Sequence, residues 1–150
     1  MTVDFVLKKV PSLRIASIRW TGPYSEAGIR KRFGQLEKWV RARGLRPGRW
    51  VFREPGTRRW EVGIEVPARA RSVGRVRVRT LRAARVGSVL FDPEVVSPRV
   101  VYHGLSDWLR WRRKEKKIRS VVSTREIYPG DPWKDARAWS RTEVQFVVRP

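Results

Sequence analysis

Few residues of this chain have both the type and the spacing for chemistry. Val122, Thr124, Glu126 and Tyr128 alternate along one run, which places a carboxylate and a phenol on one face of a strand. Glu61, Gly63 and Glu65 share a face in the same way, opposite Val62, Ile64 and Val66, and Glu143 stands in a matching run near the C-terminus. Paired carboxylates can do acid–base work, but on a half-buried sheet they are equally the ordinary polar face. The chain has no cysteine and a single histidine, His103. The missing cysteine removes thiolate nucleophiles and thiolate zinc sites, the single histidine argues against a His-rich metal site or a Ser-His-Asp hydrolase, and no cofactor is called for. His103 lies two residues from Val101, off the apolar stripe of its helix, and reads as solvent-facing.

Arginine is the other reactive resource. Lys and Arg number 35 against 14 Asp and Glu, a formal charge of +21 on 150 residues. Such a surface attracts phosphate polymers or anionic membranes, and arginine grips phosphate bidentately and stacks on bases. An Arg-favouring genome gives the same abundance without a function, yet it normally brings matching acids, and here those are missing. Arg69, Arg71, Arg75, Arg77, Arg79, Arg82 and Arg85 surround one predicted strand, on which Arg75, Arg77 and Arg79 would form a self-repelling ladder. Arg110, Arg112, Arg113, Lys114, Lys116, Lys117 and Arg119 crowd the end of a predicted helix. Binding by ~6–10 phosphate contacts would be strong and salt-sensitive. No base-reading motif is present, so recognition would be of backbone or shape.

The elements that must position these groups follow from periodicity. Val3, Phe5 and Leu7 alternate, as do Ala16, Ile18 and Trp20, within strands ending at Pro11 and at Gly22-Pro23. Ser25 is an N-cap for a helix to Arg43, whose apolar residues Ile29, Phe33, Leu36 and Val40 recur at helical spacing. Gly44-Leu45 is a left-handed helix stop. Strands then run through Trp50 and Phe52 and from Trp60 to Val66. The second half repeats the order: strands Arg75 to Leu81 and Ala84 to Phe91, a helix from Ser97 to Lys117, and strands Val121 to Tyr128 and Glu143 to Val148. Eight tryptophans are spread over these elements. Trp39, Trp60 and Trp108 lie on apolar faces and read as core. Trp20 and Tyr24 flank the Gly22-Pro23 turn, and Trp111, Trp133 and Trp139 lie among bases, where an indole stacks on arginine or on a nucleotide.

The halves match as a duplicated β-β-α-β-β unit. Leu36-x-x-Trp39 corresponds to Leu105-x-x-Trp108, Phe52-to-Gly56 to Glu126-to-Gly130, and Glu61-Val62-x-Ile64-x-Val66 to Glu143-Val144-x-Phe146-x-Val148. The expected fold is one pseudo-two-fold α+β domain over residues 1–150, with repeats at about 1–68 and 74–150. Its antiparallel eight-strand sheet has two helices on one face and leaves the other free to bind. Hydrophobic residues at 41% supply a core, so the charge does not imply disorder. No apolar run approaches the ~18–20 residues of a membrane span, and the N-terminus reads as a strand rather than a signal peptide. The expected address is the cytoplasm, without a membrane partner.

Ile18-Arg-Trp-Thr-Gly22-Pro23-Tyr24, Phe33-x-x-Leu36-x-x-Trp39 with Gly44-Leu45-Arg46-Pro47, and Glu61-Val-Gly-Ile-Glu-Val-Pro67 resemble the GyrI-like small-molecule-binding domain, also the effector-binding module of some transcription activators. Arg125-Glu126-Ile127-Tyr128-x-x-Asp131-Pro132 and Thr142-Glu143-Val144 are similar to the closing motifs of that family. The chain departs from it at Phe91-Asp92-Pro93-Glu94, where a second Gly-Pro-Tyr-like turn is expected, and at the basic run that replaces the glycine after the second helix. No helix-turn-helix precedes the domain, which implies the stand-alone module. The resemblance implies a pocket lined by Glu126 and Tyr128 with Trp20 and Tyr24 near its mouth, taking a lipophilic, possibly cationic ligand by charge and cation–π contact. A neighbouring arginine would neutralise Glu126 instead. Some relatives hydrolyse strained rings with Tyr and Glu, but no activating histidine or metal is available here. Three functions stand open: nucleic-acid binding (RNA or a ribonucleoprotein) through Arg75, Arg77, Arg79, Arg112, Arg113, Lys116 and Lys117; small-molecule sensing or sequestration; and ring-opening hydrolysis.

Overall fold

Strands form where apolar and polar residues alternate, and the sheet follows from which runs can pair. The structure, a computed structural model, describes residues 3–115 and 118–149. In chain order the elements are β1 (Val6–Val10), β2 (Leu13–Thr21), α1 (Glu26–Ala42), β3 (Trp50–Gly56), β4 (Arg59–Glu65), β5 (Arg77–Leu81), β6 (Ala84–Phe91), α2 (Pro98–Trp111), β7 (Ser120–Tyr128), α3 (Ala136–Trp139) and β8 (Thr142–Arg149). The eight strands make one antiparallel sheet in the order β1-β6-β8-β7-β3-β4-β2-β5. Counted outward from the central β3–β7 pair, β4 answers β8, β2 answers β6 and β5 answers β1. At the centre Phe52 faces Glu126, and the next pairs outward are Phe52 with Val62 and Glu126 with Val144. The outermost strands are exchanged between the sequence halves: β1 lies beside β6, and β5 beside β2.

Both long helices pack on one face, as the alternation requires. α1 buries Ile29, Phe33, Leu36 and Val40 against Ala16, Trp50, Val62 and Ile64. α2 buries Val101, Leu105 and Leu109 against Val89, Val144, Phe146 and Val148. Each such side chain contributes about 1.5–3 kcal/mol relative to exposure. Ser25 caps α1, its Oγ accepting the Gly28 N–H at 3.0 Å. At the other end Gly44, at φ 66°, lets its N–H reach Arg41 O and the Leu45 N–H reach Val40 O, a paired helix stop.

The structure corrects four expectations. α2 ends at Trp111, not Lys117, because Ile118 must be buried and its N–H turns back to Arg113 O at 3.1 Å. Lys116 and Lys117 lie outside the described residues. Arg75 is not in a strand: it sits in a tight turn closed by Val73 and Val76, and β5 begins at Arg77. The helix-free face is not bare either, since Leu13, Ile15, Val51, Leu81 and Ile127 are buried on it beside a fully buried Glu61. A short helix, α3, lies where a polar loop was expected. Among the described residues no helix is long and apolar enough to cross a membrane.

Candidate ligand-binding cleft

Alternation along β7 sends Thr124, Glu126 and Tyr128 to the helix side of the sheet, opposite Glu54, Phe52 and Trp50 of β3. Neither long helix covers this central pair completely. The first turns of α1 and α2 approach it from the two sides, and the segment around α3 closes the end. The result is a cleft of about 490 Å³. Its floor is Phe52, Glu126 and Tyr128; its walls are Tyr24, Glu26, Ile29, Phe33, Glu94, Pro98, Pro132, Trp133 and Trp139. A second recess of about 230 Å³, which includes Tyr102 and Trp60, shares Tyr24, Phe52 and Glu126 with the first. Glu126 thus stands on the wall common to both.

Hydrogen bonds hold this lining in place. Tyr102 Oη donates to Glu126 Oε1 at 2.6 Å, and Tyr128 Oη donates to Oε2. Burial first, and then the Glu126 charge, push both phenols far above the ordinary tyrosine value. They therefore stay protonated and act as donors, not as bases or nucleophiles. Tyr24 is raised for the same two reasons. Trp139 Nε1 donates to Glu94 Oε1 at 2.9 Å, while its ring lies parallel to Tyr128 with centroids 6.5 Å apart. Asp131 accepts the Trp133 N–H at 2.9 Å and so shapes the turn that presents that indole, which also meets Phe33 at 5.7 Å.

The charge of the lining is the reverse of the molecule's. It holds three carboxylates, Glu26, Glu94 and Glu126, and no lysine or arginine, in a chain with 35 bases and 14 acids. No described cation forms an ion pair with Glu126. A carboxylate kept clear of arginine amid this excess, under aromatic walls, presents negative charge and π faces to one space. That combination suits an organic cation.

Of the residues singled out in the sequence, Glu126, Tyr128 and Tyr24 meet in the cleft. Trp20 does not: it packs beside the α1 core with the Arg32 guanidinium 4.1 Å over its ring. Tyr102, Phe52, Glu94 and Glu26 were missed. Tyr102 stands one turn after Pro98, on the edge of the α2 stripe, and that i to i+4 spacing was its signal. Trp133 and Trp139, read among bases, turn inward to the cleft, and Trp133 keeps Arg30 5.9 Å over its ring. The other carboxylate group is committed elsewhere. Glu61 is held by Arg53, and its Oε2 lies 3.2 Å from both Arg19 and Arg79. Burial alone would raise its carboxyl, but Arg53 and then Arg79 hold it below the ordinary value.

The basic candidates are dispersed. Arg75 and Arg77 are exposed, whereas Arg79 turns to Glu61. Arg112 lies over Trp108 at 5.4 Å and 3.5 Å from Glu115, and Arg113 donates to Arg119 O. The ladder of three arginines on one strand face is thus reduced to Arg77 and the paired Arg79.

No protein-family pattern matches the sequence, and no curated protein matches it. Solved structures do. The EcmrR C-terminal domain superposes with a TM-score of 0.76 at 20% identity, covering 99% of either chain. EcmrR is also solved in a complex with DNA; there the TM-score is 0.74 at 20% identity, over 98% of this chain, which spans only 57% of that longer one. SAV2435 bound to tetraphenylphosphonium gives 0.52 at 12% identity, over 97% of this chain and 94% of that one. A hydrolase from Listeria innocua gives 0.61 at 13% identity, over 97% and 91%. With one eight-strand antiparallel sheet and two long helices on one face, the chain has the fold of the GyrI-like effector-binding domains that its motifs resemble.

Proposed function

We propose that this chain is a small-molecule-binding module whose ligand is a lipophilic, aromatic cation seated over Glu126. One observation carries the reading: three carboxylates and no base line an aromatic cleft in a molecule of charge +21. The bulk charge repels cations, so a cleft that accepts one needs a local reversal of field, and Glu26, Glu94 and Glu126 supply it. Tyr102 and Tyr128 fix the Glu126 carboxylate, while Phe52, Trp133 and Trp139 offer ring faces. SAV2435, of the same fold, is solved with tetraphenylphosphonium, a cation of this class. The same reading takes residues 1–150 as one domain of two repeats, about 1–68 and 74–150, with the ligand at their junction. Its role is sensing or sequestration; the tyrosines beside Glu126, held protonated, serve as donors that fix the carboxylate.

Tryptophan fluorescence titrated with tetraphenylphosphonium tests this, since Trp133 and Trp139 stand in the cleft. Saturable quenching is expected, and Glu126→Gln should weaken it by about tenfold or more, the worth of a charged partner. Quenching that Glu126→Gln leaves unchanged would place the ligand elsewhere.

A second reading rests on the charge of +21. Nucleic acid would be held through backbone phosphates by exposed bases such as Arg75, Arg77 and Arg113, with Arg112, Lys116 and Lys117 adding charge. Losing one phosphate contact should lower the salt slope by ~1 and weaken all sequences alike. Affinity no tighter than millimolar at low salt would remove this reading and leave the first intact.

A further inference from the structure

Directly behind Glu126 on β7, on the face without helices, stands Arg125. It is 5% exposed, its Nε is enclosed and unpartnered, and its side chain forms no hydrogen bond or ion pair with a described residue. A buried guanidinium with no partner is strongly unfavourable. The register aggravates it. Arg53 of β3 lies directly opposite, and like charges in that position repel.

The carboxylates of this face are already engaged. Glu65 is bound by Arg49; Glu143 is bound through Oε2 by Lys8, Ser88 and Gln145, and reaches Arg125 only as a nearby charge, with no ion pair. Glu61 serves Arg53, Arg19 and Arg79 together. Three guanidiniums therefore share one carboxylate across the middle of the sheet, and Arg125, next in the row, has no part of it. Burial, and then the Arg53 charge, lower the Arg125 value despite the opposing pull of Glu143. Gln145, directly opposite on β8, leaves its buried Oε1 unpartnered as well, so this part of the face has unmet hydrogen-bonding capacity that an added anion would engage on the arginine side.

We propose that the centre of the helix-free face is an oxyanion site in which Arg125 and Arg53 together grip one phosphate group. The cluster of Arg19, Arg53, Arg79 and Arg125 against Glu61 carries a net +3, which a phosphate dianion offsets better than a carboxylate. Planar forks on neighbouring strands match tetrahedral oxygens bidentately. The exposed Arg19 ends the same row, across Glu61 from Arg53. The phosphate comes from a free phosphorylated molecule or from a nucleic-acid backbone. Arg125 also borders the smaller recess beside the cleft, but the phosphate would sit on the face of the sheet opposite Glu126, so either reading can fail without the other.

The experiment uses the whole chain with inorganic phosphate and pyrophosphate in one arm and an oligonucleotide with 5′- and 3′-hydroxyl ends in the other. Melting is followed against chloride at equal ionic strength. Phosphate at about ten times its Kd should raise Tm by about 3–5 °C. Arg125→Met should melt no lower than the parent in phosphate-free buffer, because it removes an unpaired buried charge, and should lose the phosphate shift. Arg125→Lys, which keeps the charge without the fork, should weaken binding at least fivefold. A response to phosphate or pyrophosphate that depends on Arg125 assigns a free ligand; a response only to the oligonucleotide, again dependent on Arg125, assigns the backbone. A shift equal to that of chloride, a shift retained in Arg125→Met, or an Arg125→Met protein less stable than the parent would each overturn the proposal.

Discussion

At the centre of the sheet, the facing pair Phe52 and Glu126 puts a ring from one half of the chain against a carboxylate from the other. The duplicated motifs already align these two residues, and alternation along β7 already puts Glu126 and Tyr128 on one face. What the sequence could not show is that no arginine reaches Glu126, because that depends on where 35 long side chains go. The acidic lining was equally hidden, since Glu26, Glu94 and Glu126 come from three separate segments. Glu61 illustrates the opposite outcome: the same residue type, on the other face, is consumed by Arg53, Arg19 and Arg79. Its carboxyl lies below the ordinary 4.5 when folded. Its stabilising contribution is therefore present in full above about pH 4.5 and is lost as the pH falls through the lower folded value. Glu61→Gln removes a buried counter-charge and should cost about 3–5 kcal/mol at neutral pH. Denaturant unfolding at pH 7 and at acid pH measures both: the variant should lose less stability on acidification than the parent.

Among the elements, α1 was fully legible because cap, stripe and stop agree: Ser25, then Ile29, Phe33, Leu36 and Val40, then Gly44. Gly44→Ala places a Cβ at φ 66° and should lower stability by about 1 kcal/mol, read from the unfolding midpoint with an unchanged m-value. An unaffected midpoint would mean that the α1 stop relaxes freely. The end of α2 was not legible. A basic run suits a helix C-terminus electrostatically, but the need to bury Ile118 ends the helix earlier, and that is a tertiary demand. β5 failed for a related reason. Alternation of arginine and valine from Arg75 reads as one strand, whereas Val73 and Val76 pair with each other and turn the chain first. The short α3 carries no periodic signal, being four residues long, yet it delivers Trp139 to the cleft.

At the scale of the whole molecule, composition gave the right sign of charge and no indication of where it reverses. The seven-base clusters dissolve on folding into exposed arginines such as Arg75 and Arg77, Arg112 stacked on Trp108, and Arg79 turned to Glu61 on the helix-free face. A body of charge +21 repels itself. Raising sodium chloride from about 0.02 M to 0.5 M shortens the screening length several-fold and should raise Tm; a fall would show that the surface ion pairs outweigh the repulsion. Calorimetry with two ligands of one shape shows whether this basic molecule holds a cation-selective cleft. A triaryl quaternary ammonium and its uncharged carbon isostere are titrated into the parent and into Glu126→Gln. The parent should prefer the cation by about tenfold or more, and Glu126→Gln should abolish most of that preference while still binding the neutral isostere. Equal affinity of the parent for both ligands, or a preference that survives in Glu126→Gln, would contradict such a cleft.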